Sequence, residues 1–397
     1  MKNTHTLLLA LTLVASASAI KAAPAPGTLA SVPITVEGNH IRIPVSVNGS
    51  QPFSLVLDTG MPAPGIMLYD NDRTAALGLK FGSTDQVQGG GKGPAMTAQV
   101  ASGQHIAIGD VSLSGVQVTV LPPPHGFPST AAGVIGLELF SRFAVRIDID
   151  NHTLDLLDKD SYQPPASASV IPLRMEHGVF PFIDARVTIG DGPAEPVNIA
   201  VDLGASHSLW LNQRKGRLTA PPGSIRTPLG RGVSGRIEGS LGRVQKFEMG
   251  DVTFEHVIAL FPDADYQNPG HFDFKDGFIG AELLTRFVVT FDYASKRMVL
   301  VRGQRFDEPF ETDMSGLTFA SMDLARRSID GVLPGSPAET AGITAGDILI
   351  AVNGKPTESY NPDELRKLFK QDGAEVRLTL ERNGAQMEKT IKLRRLV

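Results

Sequence analysis

Two short segments of this 397-residue chain carry side chains that could do chemistry together. FSLVLDTG at Phe53–Gly60 and NIAVDLG at Asn198–Gly204 each run apolar and then stop at an aspartate. In both, a glycine two residues on permits a tight backbone turn. Asp58 and Asp202 stand 144 residues apart, and the same spacing separates Gly136 from Gly280, Arg142 from Arg286, Phe143 from Phe287 and Asp148 from Asp292. The second set lies in GVIGLELFSRFAVRIDID (Gly133–Asp150) and GFIGAELLTRFVVTFDYA (Gly277–Ala294). Two matches at one offset mark a duplicated lobe. Lobes related by a pseudo-two-fold axis can bring Asp58 and Asp202 side by side. Carboxylates about 3 Å apart cannot both ionise, so they share a proton. The charged member can deprotonate a water while the protonated one donates to a substrate carbonyl, which is hydrolysis without a metal or a covalent intermediate. Taken singly, either aspartate reads more readily as a turn cap than as a catalytic group; the matched pair carries the reading.

Other chemistries find little support. The chain has no cysteine, which excludes disulfides, thiolate metal sites and cysteine nucleophiles. Its nine histidines include no His-Glu-x-x-His, and neither Gly-x-Ser-x-Gly nor a Gly-Lys-Ser/Thr phosphate loop occurs. We therefore expect no metal and no cofactor. His207 reads as a turn or cleft-wall residue. A net charge of −5 with 20% charged residues argues against a nucleic-acid partner.

The elements that must position the aspartates are mainly β. Hydrophobic residues make up 42% of the chain, and its 41 glycines and 28 prolines suit short strands joined by tight turns. Strands are expected at 41–47, 53–57, 106–108 and 110–120, with short helices at 137–143 and 281–287. Before the first lobe, Lys2, the apolar run Leu7–Val14 and Ala17-Ser18-Ala19 read as an export signal over residues 1–23, so the mature protein is expected outside the cytoplasm, periplasmic or secreted, without stable membrane insertion. The lobes are expected at 29–160 and 165–303, joined through the Pro-containing stretch Lys159–Ser169, and a further domain at 312–397. In that domain Leu365, Leu368 and Phe369 share one face of a helical patch, and Asn383-Gly384 marks a hairpin turn.

The Asp58-Thr59-Gly60 and Asp202-Leu203-Gly204-Ala205-Ser206 turns, with the two Ile-Gly segments, resemble aspartic proteases of the pepsin and retropepsin type. Phe278–Val301 is especially similar to the last strands of a pepsin lobe, and lobes this short without disulfides look like the two-lobed retropepsin-like enzymes. PGSPAETAGITAGDILIAVNGKP (Pro334–Pro356) resembles a PDZ domain of the bacterial periplasmic-protease kind. The resemblance implies two acid-protease-like β lobes with a cleft between them, and an α+β PDZ domain. It makes Asp58 and Asp202 the catalytic pair, supported by Thr59, Gly60, Leu203, Gly204 and Ser206. Gly60 and Gly204 would offer N–H groups to the carboxylates, and Thr59 would bond across the lobe interface. The flap over substrate would be Gln88–Pro94, with Gly89, Gly90 and Gly91 at its tip, and Arg231–Leu241 would correspond in the second lobe. Gly316, Leu317, Thr318 and Phe319 would capture a peptide C-terminal carboxylate. The activity implied is aspartic endopeptidase action on extended peptides or proteins, in one chain with no dimer required, with a substrate or regulator terminus at the PDZ domain. The alternative is an inactive peptide-binding protein using the same cleft and groove. Three departures stand out. Leu203 replaces the usual threonine and removes half of a reciprocal hydroxyl pairing. Met61 and Ala205 stand where hydroxyl donors are usual, which predicts activity at mildly acidic to neutral pH. Pro62 lies opposite Ser206.

Overall fold

A computed structural model of the chain describes residues 27–91, 93–122, 131–213, 216–232, 234–263, 266, 276–319 and 327–397. The expected export signal at 1–23 and Lys92 of the flap lie outside the described residues. In the first lobe one eight-stranded sheet runs in the order Thr35–Glu37, His40–Val47, Phe53–Leu57, Gly133–Ile135, Ile66–Tyr69, Val111–Leu121, Met96–Ile108 and Ser83–Val87. In the second lobe the order is Arg174–Glu176, Phe180–Thr188, Ala194–Val201, Gly277–Ile279, Leu209–Leu211, Val252–Pro262, Gly235–Met249 and Ile225–Gly232. The two orders are the same.

Each aspartate ends an interior strand. Phe53, Leu55 and Leu57 are buried, as are Ile199 and Val201, because these strands are covered on both faces. Each pairs in parallel with its lobe's Ile-Gly strand: Leu55 with Gly133 and Leu57 with Ile135, then Ile199 with Gly277 and Val201 with Ile279. The registers coincide at the spacing read in the sequence. Longer strands nearer the sheet edge alternate; in Gly235–Met249 buried positions recur mostly every second residue.

A third sheet, of six strands, is shared by the lobes: Thr28–Pro33, Thr153–Leu157, Ala144–Asp148, Phe287–Asp292, Arg297–Arg302 and Ser169–Pro172. At its middle Val145 faces Phe291, Arg146 faces Thr290 and Ile147 faces Val289. Arg146 and Thr290 are counterparts in the duplication, so the pseudo-two-fold axis passes between them, as in an isologous contact. Phe140 of the first lobe adds an edge-on contact to Phe291 and a stacked contact to Tyr293, at 5.3 and 5.4 Å between ring centres.

The duplication is not perfect. Arg142 is half exposed and pairs with Glu138 at 2.7 Å, whereas its counterpart Arg286 is buried. The segment 303–310 crosses the second lobe there, and the Arg286 guanidinium donates to the carbonyls of Arg305, Phe306, Glu308 and Pro309 and lies 3.6 Å from the centre of the Phe310 ring.

The C-terminal domain has its own core. Its sheet runs Leu317–Phe319, Arg327–Val332, Ile348–Val352, Glu375–Arg382 and Ala385–Lys392, with Lys355–Pro356 pairing onto Ile348–Val352. The helix Pro362–Phe369 starts at Asn361, whose side chain accepts from the backbone while Glu364 reaches back to the Asn361 N–H. It buries Leu365 and Phe369 against Leu349, Leu378 and Leu380. The expected hairpin turn is present, with Asn383 at φ 52° and Gly384 at φ 81°. This domain is tied to both lobes: the Gly38 N–H donates to the Asp363 carboxylate at 3.1 and 3.2 Å, Lys370 meets Glu282 at 3.4 Å, and Arg236 pairs with Asp330.

Candidate active site

Strand pairing delivers both aspartates to the same place. The Asp58 N–H donates to the Ile135 carbonyl and the Asp202 N–H to the Ile279 carbonyl, each at 2.9 Å, which closes the two turns alike. Asp58 Oδ1 accepts from the Gly60 N–H at 2.6 Å, and Asp202 Oδ1 accepts from the Gly204 N–H at 2.9 Å. The two carboxyl groups hydrogen-bond to each other across the lobe boundary. A methyl group at Gly60 would sit 2.6 Å from Asp202 Oδ1, and one at Gly204 2.5 Å from Asp58 Oδ1. Only glycine lets the opposite carboxylate in that close.

The Ile-Gly glycines have a similar reason. A Cβ at Gly136 would lie 2.2 Å from the Asp58 carbonyl, and one at Gly280 2.3 Å from the His207 carbonyl. The backbone after each Ile-Gly strand passes directly against an aspartate turn, which is why the motifs travel together in sequence.

Below the carboxyls, Thr59 bonds across the interface. Its hydroxyl donates to the Val201 carbonyl at 2.7 Å and accepts from the Leu203 N–H at 2.9 Å. Leu203 is fully buried and fills volume without making the return bonds. The Met61 and Ala205 side chains supply no hydroxyl, but their backbone N–H groups donate to Asp58 and Asp202. Burial outweighs these donors. Both carboxyls are held above the ordinary aspartate range by desolvation, and Asp202 furthest, because the charge of Asp58 adds to its burial. They titrate as a pair.

Sequence reasoning missed the turn Glu37–His40. Asn39 donates to the Ser206 carbonyl at 2.9 Å, and His40 hydrogen-bonds the backbone at Gly204, so this turn braces the second aspartate loop. Ser206 takes part through its carbonyl. Gly38 and Asn39 both have positive φ, 62° and 63°, and a Gly-Asn pair between alternating strands is the signal that could have found the turn. His207 lies on the cleft wall, its ring 6.1 Å from that of Trp210; burial, then His40, brings it down to about 4, so it is neutral at ordinary pH. Among the described residues no group of three or more His, Asp or Glu side chains is gathered so as to hold a metal ion.

The sequence matches the aspartyl protease family over residues 43–139 and 185–283, the two halves that carry the aspartate turns, and the PDZ domain family over residues 328–382. The two lobes belong to the aspartyl protease family, and the third domain is a PDZ domain. Among curated proteins the chain is 38% identical over 74 residues to the periplasmic pH-dependent serine endoprotease DegQ of Escherichia coli strain K12, covering 18% of this chain and 16% of DegQ. The chain thus spans about a sixth of that relative's length. Among solved structures, the aspartic proteinase from Irpex lacteus superposes with a TM-score of 0.45 at 15% identity, covering 70% of this chain and 98% of that one.

The protease lobes roof their cleft with two hairpins that meet tip to tip. The Ser234 N–H donates to the Gly90 carbonyl at 2.8 Å, the Gly93 N–H to the Ser234 carbonyl at 2.5 Å, and the Gly89 N–H to Ser234 Oγ at 3.4 Å. In the second lobe the turn lies between the strands ending at Gly232 and starting at Gly235, so the expected 231–241 segment is mostly the returning strand. The Gly91 N–H reaches the Tyr266 hydroxyl, which burial pushes up to about 12. A Cβ at Gly232 would stand 2.2 Å from the Gly90 carbonyl. Gly232→Val should therefore part the tips: in a peptide-cleavage assay KM is expected to rise about tenfold, with Tm changed by less than about 4 °C. A KM unchanged within twofold would show that the clasp does not cover substrate.

In the PDZ domain, the N–H groups of Gly316 and Leu317 are already engaged. The first donates to the Asp313 carboxylate and the second to Ser315 Oγ at 3.1 Å. Thr318 Oγ1 donates to the Gly331 carbonyl at 3.2 Å, and Phe319 lines the groove beside the helix Pro362–Phe369.

Proposed function

We propose that this chain is an exported aspartic endopeptidase that cleaves extended peptide segments between its two lobes. The observation that carries the reading is the hydrogen bond between the Asp58 and Asp202 carboxyls, set at the floor of a cleft roofed by two hairpins. Both carboxyls are raised and the pair shares one proton; with Asp202 taken as the protonated member, Asp58 acts as the base. A water at the pair gives a proton to Asp58 as its oxygen adds to the substrate carbonyl carbon, while Asp202 donates to the carbonyl oxygen. The tetrahedral diol then collapses: its C–N bond breaks, Asp58 returns its proton to the amine, and Asp202 recovers one from the diol. One chain supplies both carboxyls, so the site needs no dimer.

Export rests on the apolar N-terminal run and is supported by likeness to a protein named as periplasmic. No helix among the described residues is long and apolar enough to cross a membrane.

The test is cleavage of an unstructured protein, blocked by a peptide analogue bearing a tetrahedral hydroxyl at the scissile position. Binding of that analogue without any turnover would overturn the reading in favour of a peptide-holding protein. The pH profile gives a second check. Activity appears as pH rises through the lower apparent pKa of the pair, when one carboxyl ionises. It disappears above the higher one, when the shared proton is lost. Burial raises both carboxyls, so kcat/KM is expected to peak between about pH 4 and 7. A maximum below about pH 3 would contradict the environment described for the pair.

A further inference from the structure

The cavity that holds the Asp58–Asp202 pair does not end at the lobes. It continues into the groove between the strand Leu317–Phe319 and the helix Pro362–Phe369, and the whole space measures about 1130 Å³. Leu317–Phe319 is the end strand of its sheet, so one edge of it faces this groove unpaired among the described residues. Such an edge accepts an extended chain through backbone hydrogen bonds, whatever its side chains.

Arg327 also lines this space. Its side chain is 6% exposed, its Nε has no hydrogen-bond partner, and no ion pair to it occurs among the described residues. The Phe319 ring lies 5.1 Å from its guanidinium carbon. The charges nearest to it are a second guanidinium, Arg366, and the carboxylate of Asp313. Asp313 is occupied by the N–H and hydroxyl of Ser315 and the N–H of Gly316, and Arg366 pairs with Asp363 at 2.9 Å. A buried guanidinium without a bonded anion, beside another cation, is an expensive arrangement. The loop expected to receive a peptide carboxylate has two of its N–H groups already engaged, at Gly316 and Leu317. Among the described residues no carboxylate is bonded to Arg327, so its guanidinium is the place for an anion brought by a ligand.

We propose that one polypeptide occupies both compartments, with its free C-terminal carboxylate on Arg327, its last residues along the edge of Leu317–Phe319, and its upstream residues over the aspartate pair. The enzyme then removes a C-terminal segment of set length, since an extended chain advances about 3.3–3.6 Å per residue and the two ends of the trough are fixed. The ties between the PDZ domain and the lobes, Gly38 to Asp363, Lys370 to Glu282 and Arg236 to Asp330, hold that distance. This rests on the hydrolytic reading of Asp58 and Asp202.

The experiment compares unstructured polypeptides of one sequence ending in a free carboxylate, ending in an amide, or extended by five residues, with cut sites mapped by mass spectrometry. With the free acid, cuts fall at a constant distance from the end, and the extension moves them by five residues. Amidation of the substrate, or Arg327→Met in the full-length protein, raises KM at least tenfold, the loss falling on KM rather than kcat. A normal melting curve for Arg327→Met confirms that it is folded. Cuts that stay at fixed sequence positions with KM indifferent to amidation overturn the proposal. So does dependence on an internal acidic side chain rather than the chain end. Should no substrate be cut, the hydrolytic reading fails, and a separate measurement decides the trough. A free-acid peptide with a photoreactive residue near its end must label the cleft segments of the lobes in Asp58→Asn/Asp202→Asn protein, and its amide must not. Labelling confined to the PDZ domain, or equal for both peptides, overturns the shared occupancy.

Discussion

Asp58→Asn and Asp202→Asn are each expected to lower kcat by at least about 10³, with the double substitution no worse than either single one. An amide matches the carboxyl in shape but cannot take a proton from water or hold the shared one. Because the two groups work as one unit, removing either removes the step. The fold should not suffer. Both carboxyls are raised by burial, so neutral amides remove a desolvation cost, and Tm is expected to stay level or rise. Peptide cleavage and a melting curve on the same preparations check both statements. Residual activity within tenfold of the native protein in either variant would remove the aspartates from the chemistry.

The largest effect on stability is expected at Arg286. Arg286→Leu keeps apolar volume under Phe310 but strips donors from the carbonyls of Arg305, Phe306, Glu308 and Pro309, which are left facing a buried apolar side chain. A loss of about 3–5 kcal/mol is expected. At about 2–4 °C per kcal/mol for a domain of this size, Tm should fall by at least about 6 °C. Arg142→Leu, at the duplicate position, removes the half-exposed partner of the buried Glu138, which keeps its bond from the Gly65 N–H, and should cost about 1–2 kcal/mol, less than the loss at Arg286. Equal effects at the two positions would mean that the crossing segment does not depend on Arg286.

That contrast shows where sequence reading stops. Asp58, Asp202, Gly136 and Gly280 were legible because the duplication reports on itself: a carboxylate that must meet its copy, and a glycine that must pass beneath it, recur at one spacing. The Leu365 and Phe369 face and the Asn383-Gly384 turn were legible because they obey local periods and turn rules. Arg286 read as a plain repeat of Arg142, since nothing near either residue announces that residues 303–310 cover only one of them. The bracing of Gly204 by His40, the meeting of Gly90 with Ser234, and the unpaired guanidinium of Arg327 all join residues far apart in the chain. Such contacts are decided by how whole sheets pack, and no short pattern encodes them. Likewise, Met61 and Ala205 read as lost donors because side chains were counted, whereas the backbone supplied the bonds.

The antiparallel contact of Ala144–Asp148 with Phe287–Asp292 has a bearing on biosynthesis. A ribosome that has finished only the first half has made a single acidic turn, and its partner strand is still untranslated. The Asp58–Asp202 pair can therefore assemble only after the second half has emerged and its strand Phe287–Asp292 has docked on the first.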